Sequence, residues 1–255
     1  MKTSIIVKNN NKISLWAVVF WVLVWQIGSV IISQEILLVS PISTFQRLSE
    51  LILEIDFWKA ILFSFSKITT GFLLALIFGS IFAIFSSYIK KFNQLIEPLI
   101  LVIQAIPVAS FIILSLIWIP TKNLSIFISF LMVLPIVYRN ILDGINNIPK
   151  EIKEMADLFK ISKAKRIRYI YLSQVAPYLR SACSVSLGLC WKSGIAAEVI
   201  GLPKNSIGEN LYQAKIFLDT KDLFAWTIVI IVISILFQRI FLRIIDRILI
   251  KMERI

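Results

Sequence analysis

An all-α membrane protein with six transmembrane helices and both termini in the cytoplasm is the fold class this sequence predicts, and three observations predict it. Of 255 residues, 58% are hydrophobic and 16% charged, and the mean hydropathy is +0.85, a balance that suits lipid as the solvent and excludes a soluble surface. Six runs approach the roughly 20 apolar residues that a helix needs to cross a hydrocarbon core about 30 Å thick. The 27 Lys and Arg, against 15 Asp and Glu, collect on one side of those runs.

The first run extends from Ser14 to Ile32. Residues 1–13 followed by that run have the layout of a secretory signal, but Ile32-Ser33-Gln34-Glu35 offers no small-x-small cleavage site, so the run is read as a retained span. The second runs from Ala60 to Tyr88 and places Gly71, Ala75, Gly79, Ala83 and Ser87 four residues apart, a smooth ridge along one helix face. Packing inside one bundle is preferred for that ridge, with a subunit interface as the alternative. The third, Leu99 to Ile119, and the fourth, Leu124 to Leu142, contain Pro107 and Pro135, each expected to remove a backbone hydrogen bond and kink its helix. The fifth, Leu179 to Ala197, is the most polar, and the sixth runs from Leu223 to Leu242. Beyond it Arg239, Arg243, Arg247 and Lys251 form a basic stripe suited to anionic headgroups.

A cytoplasmic N-terminus puts Lys2, Lys8, Lys12, Lys90, Lys91, Arg139, the basic loop from Lys150 to Arg180 and the tail from Arg239 to Arg254 on one side, 19 of the 27 basic residues. The other side keeps 6, and Lys67 and Lys192 fall within spans. The net charge of +12 is therefore cytoplasmic-loop charge and not a nucleic-acid patch. With no His and two Cys, metal sites, catalytic triads and disulfide frameworks lack raw material. Cys183 and Cys190 lie seven apart on one helix, about 10 Å along its axis and too far to pair, so both are read as small packing residues.

The long cytoplasmic segment between the fourth and fifth spans reads as a short helix. Asn147-Ile148-Pro149 signals its start, Glu151 and Glu154 follow near the positive end of its dipole, and Ile148, Ile152, Met155 or Ala156, and Phe159 recur at helical spacing. Such a stripe needs a partner or the membrane surface. Lys160, Lys163, Lys165, Arg166 and Arg168 then lead back to the headgroups.

Glu154-Met155-Ala156, with Ile170, Leu172 and Pro177 behind it, resembles the EAA loop of ABC importer permeases. Lys160 stands where that family has Gly, and Ser173 where it has Pro. Ser40-Pro41, Ser64-Phe65-Ser66-Lys67 with Gly71-Phe72, and Glu97-Pro98 with Gln104-Ala105-Ile106-Pro107 are similar to further family motifs. Trp191-Lys192-Ser193-Gly194, Ala197-Glu198-Val199-Ile200-Gly201, Ser206-Ile207-Gly208, and Asp219-Thr220 with Phe224-Ala225-Trp226 look like the nitrate/sulfonate/taurine branch.

The resemblance implies a type I importer permease: a single domain over residues 14–250, with an extracytoplasmic segment at 33–59, a cytoplasmic coupling loop at 143–177, and cytoplasmic ends at 1–13 and 251–255. It implies two separate ATPase subunits carrying ATP and Mg, a second permease copy (a homodimer by default), an extracytoplasmic binding protein, surrounding lipid and no nucleic acid. No cofactor is expected on this chain. It is not expected to be the ATPase, since no G-x-x-x-x-G-K-[ST] loop occurs, and no other enzyme is expected, since it has no His, no paired acidic motif and no Cys cluster. Glu151, Glu154, Met155, Ala156, Asp157, Phe159 and Lys160 would then form the ATPase-docking coupling helix. For Glu154 the resemblance favours a contact in the ATPase groove or a dipole role within its own helix, with an ordinary solvated carboxylate as the alternative.

The polarity of the fifth span, with Ser181, Ser184, Ser186, Gly188 and Ser193, makes little sense against lipid. Ser184, Gly188, Trp191, Lys192 and Gly194 are the candidates for a translocation path carrying a small, anionic or sulfonate-like solute. Lys192 could contact such a solute, pair with Glu198 or snorkel to the interface, with a structural role preferred. The competing reading is an ATP-independent channel or secondary carrier, which the near absence of titratable groups inside the spans disfavours.

Overall fold

The computed structural model describes residues 14–253, with side chains described as far as Leu249 except at Lys163. The basic N-terminus with Lys2, Lys8 and Lys12, and Arg254 in the tail, lie outside the described residues. All regular structure among the described residues is helical: α1 (Leu15–Ile32), α2 (Pro41–Leu51), α3 (Ile55–Tyr88), α4 (Lys90–Ala105), α5 (Val108–Ser115), α6 (Thr121–Asn146), α7 (Lys150–Leu158), α8 (Lys163–Arg166), a π-helical turn (Ile167–Tyr171), α9 (Leu172–Gly201), α10 (Ile207–Ile216) and α11 (Thr220–Glu253). Five helices are long and apolar enough to cross a membrane, and a sixth crossing requires α4 and α5 to count as one.

The kink expected at Pro107 in the third span is present as a full break: α4 and α5 meet at 104°. Pro107 lacks the N–H that would continue the helix, and its ring pushes Ile106 into extended backbone at φ −77°, ψ 129°. The same residue type acts differently at Pro135, where α6 runs unbroken from Thr121 to Asn146. Pro135 is buried in the bundle, where α3 and α9 pack along α6, whereas Pro107 is exposed at the break between α4 and α5.

The core is the packing of α3 and α9 against α6. The small-residue ridge of α3 resolves into packing within the chain, because Gly71, Ala75, Gly79 and Ala83 are buried. A Cβ at Gly71 would run into the carbonyl oxygen of Ile126 and lie 2.8 Å from Ser129 Cβ, and one at Gly79 would lie 2.9 Å from Val137 Cγ1. From α9, a Cβ at Gly194 would lie 2.6 Å from Ile68 Cγ1 and 2.7 Å from Ser129 Oγ. Dispersion supplies much of helix association in lipid, so this proximity is what the missing side chains contribute. Cys183 and Cys190 are buried in the same core, and Cys190 Sγ donates to Ile68 O at 3.5 Å.

Aromatic rings of Phe65, Phe72, Trp191, Phe237 and Phe241 join α3, α9 and α11. Toward the end expected to be cytoplasmic, Tyr138 donates to Asn93 Oδ1 at 2.9 Å, Arg139 Nη2 meets Glu97 Oε1 at 2.9 Å, and Arg180 Nε meets Asp246 Oδ1 at 2.6 Å. Arg239, Arg243 and Arg247 of the basic stripe face away from the bundle.

The opposite end is built from caps. Ser40 Oγ accepts from Ser43 N at 3.1 Å to start α2 with Pro41 in its first turn, and Ser206 Oγ accepts from Glu209 N at 3.0 Å to start α10. Asp219 Oδ1 accepts from Asp222 N at 3.1 Å at the head of α11. Arg47 then pairs with both Asp222 and Glu50, while Lys221 Nζ reaches Glu35 Oε2 at 3.0 Å. α1 contributes no buried residue and touches the rest mainly through Trp25, whose indole donates to Val39 O at 2.9 Å and stacks on Phe224.

Candidate functional site

α7 begins at Lys150, one position after Pro149, and its apolar residues divide between two faces. Ile148 and Ala156 are buried with Ile170, and Ile152, Ile161 and Tyr171 pack around them. That half of the stripe needs no partner chain, because the return segment folds back onto it. The other half stays uncovered, with Met155 47%, Phe159 71% and Leu158 79% exposed. Leu158 escaped the sequence reading because it falls off the Ile148–Ile152 register. Its signal was the second stripe it makes with Met155 at i+3 spacing.

Glu151, Glu154, Asp157 and Lys160 are exposed around the same apolar edge. Asp157 Oδ1 meets Arg166 Nη2 at 2.5 Å, clamping α7 to α8. The structure thus groups six of the seven candidate docking residues on one solvent-facing surface and turns the seventh, Ala156, inward.

Lys160 adopts φ +49°, the left-handed conformation that glycine takes without strain. Its N–H donates to Asp157 O at 3.0 Å, and the N–H of Ile161 donates to Ala156 O at 3.0 Å. These two bonds form a Schellman motif, with the Ala156–Ile161 contact as its usual apolar companion. The turn that glycine makes elsewhere in such loops is preserved here with a side chain bearing the strain, which costs roughly 1–2 kcal/mol. Lys160→Gly is therefore expected to stabilise the end of α7 by about 1 kcal/mol, read as slower amide hydrogen exchange at Phe159, residue 160 and Ile161. Exchange no slower than in the parent would contradict this account of the turn.

Beyond α7, residues 164–201 run as one helix through the π-helical turn, without the interruption that a proline at position 173 would impose. An apolar cavity of about 300 Å³ lies between α3, α6 and the turn, bordered by Ile84, Tyr88, Ile145, Ile167 and Tyr171.

The five translocation candidates on α9 do not share one surface. Trp191 is 1% exposed, packed beside Phe65 and Phe237, and its Nε1 makes no hydrogen bond among the described residues. Gly194 is a point of helix contact within the bundle. Ser184 is half-buried and its carbonyl accepts from Gln238 Nε2 at 2.9 Å, toward α11. Gly188 and Lys192 lie on the uncovered side, in line with exposed Ser181 and Val185, and a Cβ at Gly188 would meet nothing within 4 Å. Beside that stripe a cavity of about 240 Å³ opens at the α4–α5 break, bordered by Gln104, Ile106, Val108, Met132, Pro135 and Leu189.

The expected alternative of a Lys192–Glu198 pair is overturned. Lys192 is exposed, whereas Glu198 is fully buried and turned to the other side of α9, where Oε2 accepts from Ser64 Oγ at 2.6 Å and from Gly208 N at 3.3 Å. Their six-residue separation places them on different faces of the helix.

Comparison with known proteins agrees with this architecture. The chain is 24% identical over 231 residues to the putative aliphatic sulfonates transport permease protein SsuC of Bacillus subtilis, covering 89% of this chain and 83% of that protein. It is 26% identical over 193 residues to the bicarbonate transport system permease protein CmpB of Synechococcus elongatus, covering 71% and 68%. It is also 28% identical over 141 residues to the nitrate import permease protein NrtB of the same organism, covering 55% and 50%. Among solved structures, a chain of an amino acid ABC transporter described with histidines superposes with a TM-score of 0.50 at 20% identity, covering 76% of this chain and 89% of that one, a likeness of fold alone. Residues 71–252 match the family described as the binding-protein-dependent transport system inner membrane component. With the match spanning the helical core from the Gly71 contact to the end of α11, this chain belongs to that family and is a multi-pass inner membrane permease subunit of an ABC importer, a transport component and not an enzyme.

Proposed function

We propose that this subunit forms half of a translocation path for a small anion and is driven through α7 by an ATPase. The observation that carries the coupling half is the uncovered edge of Met155, Leu158 and Phe159, ringed by Glu151, Glu154, Asp157 and Lys160. An apolar edge with a charged rim is what a helix-in-groove contact uses. The other apolar face of α7 is seated on Ile161, Ile170 and Tyr171, so a push on α7 is delivered to α9 through the π-helical turn. ATP binding on the partner would carry α7 and alternate the access of the path. Magnesium and nucleotide belong to that partner.

The path is assigned to the uncovered stripe of α9 with Gly188 and Lys192, beside Gln104 at the α4–α5 break. A second copy of this chain would close the other half, and an extracytoplasmic binding protein would deliver the solute. The positive-inside distribution supports α7 and both termini on the cytoplasmic side, one permease domain over 14–250, segment 33–59 outside and loop 143–177 inside. Sulfonate, bicarbonate and nitrate, named for the relatives, share negative charge and small size, and Lys192 is the one basic side chain on the α9 stripe. Trp191, Gly194 and Ser184 then shape the path from behind.

The test is purification of the tagged protein from its native membrane in mild detergent, with mass spectrometry of what accompanies it, for the parent and Glu154→Lys. An ATPase is expected with the parent and several-fold less of it with the variant. No ATPase with the parent, from membranes that retain other such complexes, would favour an ATP-independent channel or carrier.

A further inference from the structure

At the end of the bundle away from α7, four helices meet at one buried acidic side chain. Glu198 of α9 is fully buried and makes no ion pair among the described residues. Its Oε2 accepts from Ser64 Oγ of α3, and the same Ser64 oxygen accepts from the N–H of Ile207 at 3.0 Å, the first residue of α10. Oε2 also accepts from Gly208 N. A Cβ at Gly208 would lie 2.5 Å from Val199 N and collide with Glu198 Cβ, so the start of α10 is pressed onto the backbone of α9.

The remaining oxygen, Oε1, is buried without a hydrogen bond, and so is Ser125 Oγ of α6, which lies beside the carboxylate. A buried donor and a buried acceptor left open next to each other are costly, and a small shift of α6 would join them. Joining them would give the cluster a second hydrogen-bonding arrangement, the property a relay needs. α10 leads from it to the exposed Ile216, Phe217 and Leu218, so whatever moves its first turn moves that tip.

We propose that Glu198 is a positioning residue for transport: through Ser64 and the N–H of Gly208 it makes α10 move with α3 and α9, and it takes up the Ser125 hydroxyl when α6 shifts. The inference rests on the importer reading above and adds to it the element that carries the cycle to the far face.

The test uses the complex purified with its ATPase. Lys215, exposed near the end of α10, is replaced by Cys, and its rate of reaction with a polar maleimide is compared without nucleotide and after trapping with ATP and vanadate. The two native cysteines are buried and give little background. In this Lys215→Cys parent the two rates should differ by roughly fivefold or more. Adding Glu198→Ala or Ser64→Ala should bring the ratio to about one, and Glu198→Gln, which keeps an acceptor for Ser64 and Gly208, should restore it. A merely structural role would shift both rates together or lower the yield, leaving the ratio intact.

The parent ratio persisting in Glu198→Ala and Ser64→Ala overturns the relay, as does its loss in Glu198→Gln. Should Glu198→Ala fail to assemble, Ser64→Ala decides, since it removes one hydroxyl and leaves the carboxylate. A ratio of about one in the parent itself means that the α10 tip does not move in the cycle and overturns the relay, whereas an ATPase that does not purify with the permease is what fails the coupling reading beneath it.

Discussion

Replacing Phe159 with Asp should abolish recovery of the ATPase with this permease while the permease itself still inserts and purifies. Phe159 is 71% exposed and adjoins Leu158 at 79%, so the substitution removes no core contact and places a charge at the centre of the proposed docking edge. Aromatic anchors at interface centres cost ~2–4 kcal/mol on truncation, and a buried charge adds to that, so affinity should fall by roughly 30- to 1,000-fold. Met155→Ala, at the half-exposed margin, should lose much less. The control is Ile152→Asp, on the opposite face of α7, which should lower the amount of folded permease because that side chain packs against the Ile148–Ala156–Ile170 cluster. Parent-level ATPase recovery with Phe159→Asp would move the docking surface off α7.

Gly71→Val should destabilise the bundle itself. The first added carbon would collide with the Ile126 carbonyl and approach Ser129 within 2.8 Å, and the collision is with helix backbone that cannot rotate away. Overpacking of this kind costs about 1–3 kcal/mol where side chains can yield, and more where α3 and α6 must separate along their length. For a chain of this size a loss of about 1–3 kcal/mol corresponds to a fall in Tm of roughly 2–12 °C, measured in detergent by a thiol-reactive dye reporting on Cys183 and Cys190 as they become exposed. Gly188→Val, where an added carbon meets nothing within 4 Å in the single chain, is the contrast: it should leave Tm unchanged and act on transport if that face lines the path. Equal Tm values for the two variants would refute the packing role of Gly71.

Much of this protein is written locally, and those parts were legible. Apolar runs of spanning length and the Asn147-Ile148-Pro149 start of the loop helix act within a few residues of themselves, so composition and spacing suffice to read them. The one-sided distribution of Lys and Arg is likewise a property of the chain order alone. The EAA-like loop was legible as a helix with apolar spacing, but which apolar residues turn inward was not. Ile148, Ile152 and Ala156 are covered only because Ile161, Ile170 and Tyr171 return to them from across a tight turn. That turn depends on Lys160 accepting a positive φ that its residue type disfavours.

By itself, then, the sequence determined the apolar runs and their order, the one-sided distribution of Lys and Arg, and the family to which the chain belongs. Tertiary structure alone decided that the chain breaks at Pro107, with α4 and α5 meeting at 104°, while α6 continues through Pro135, which is buried where α3 and α9 pack. It also decided that Trp191 and Gly194 belong to the core and that Glu198 answers to Ser64 across 134 positions instead of to Lys192 six residues away. The reason is the same in each case: a residue's partner inside a bundle is set by which helix faces are pressed together, and that pairing arises from contacts between distant segments that no local pattern encodes.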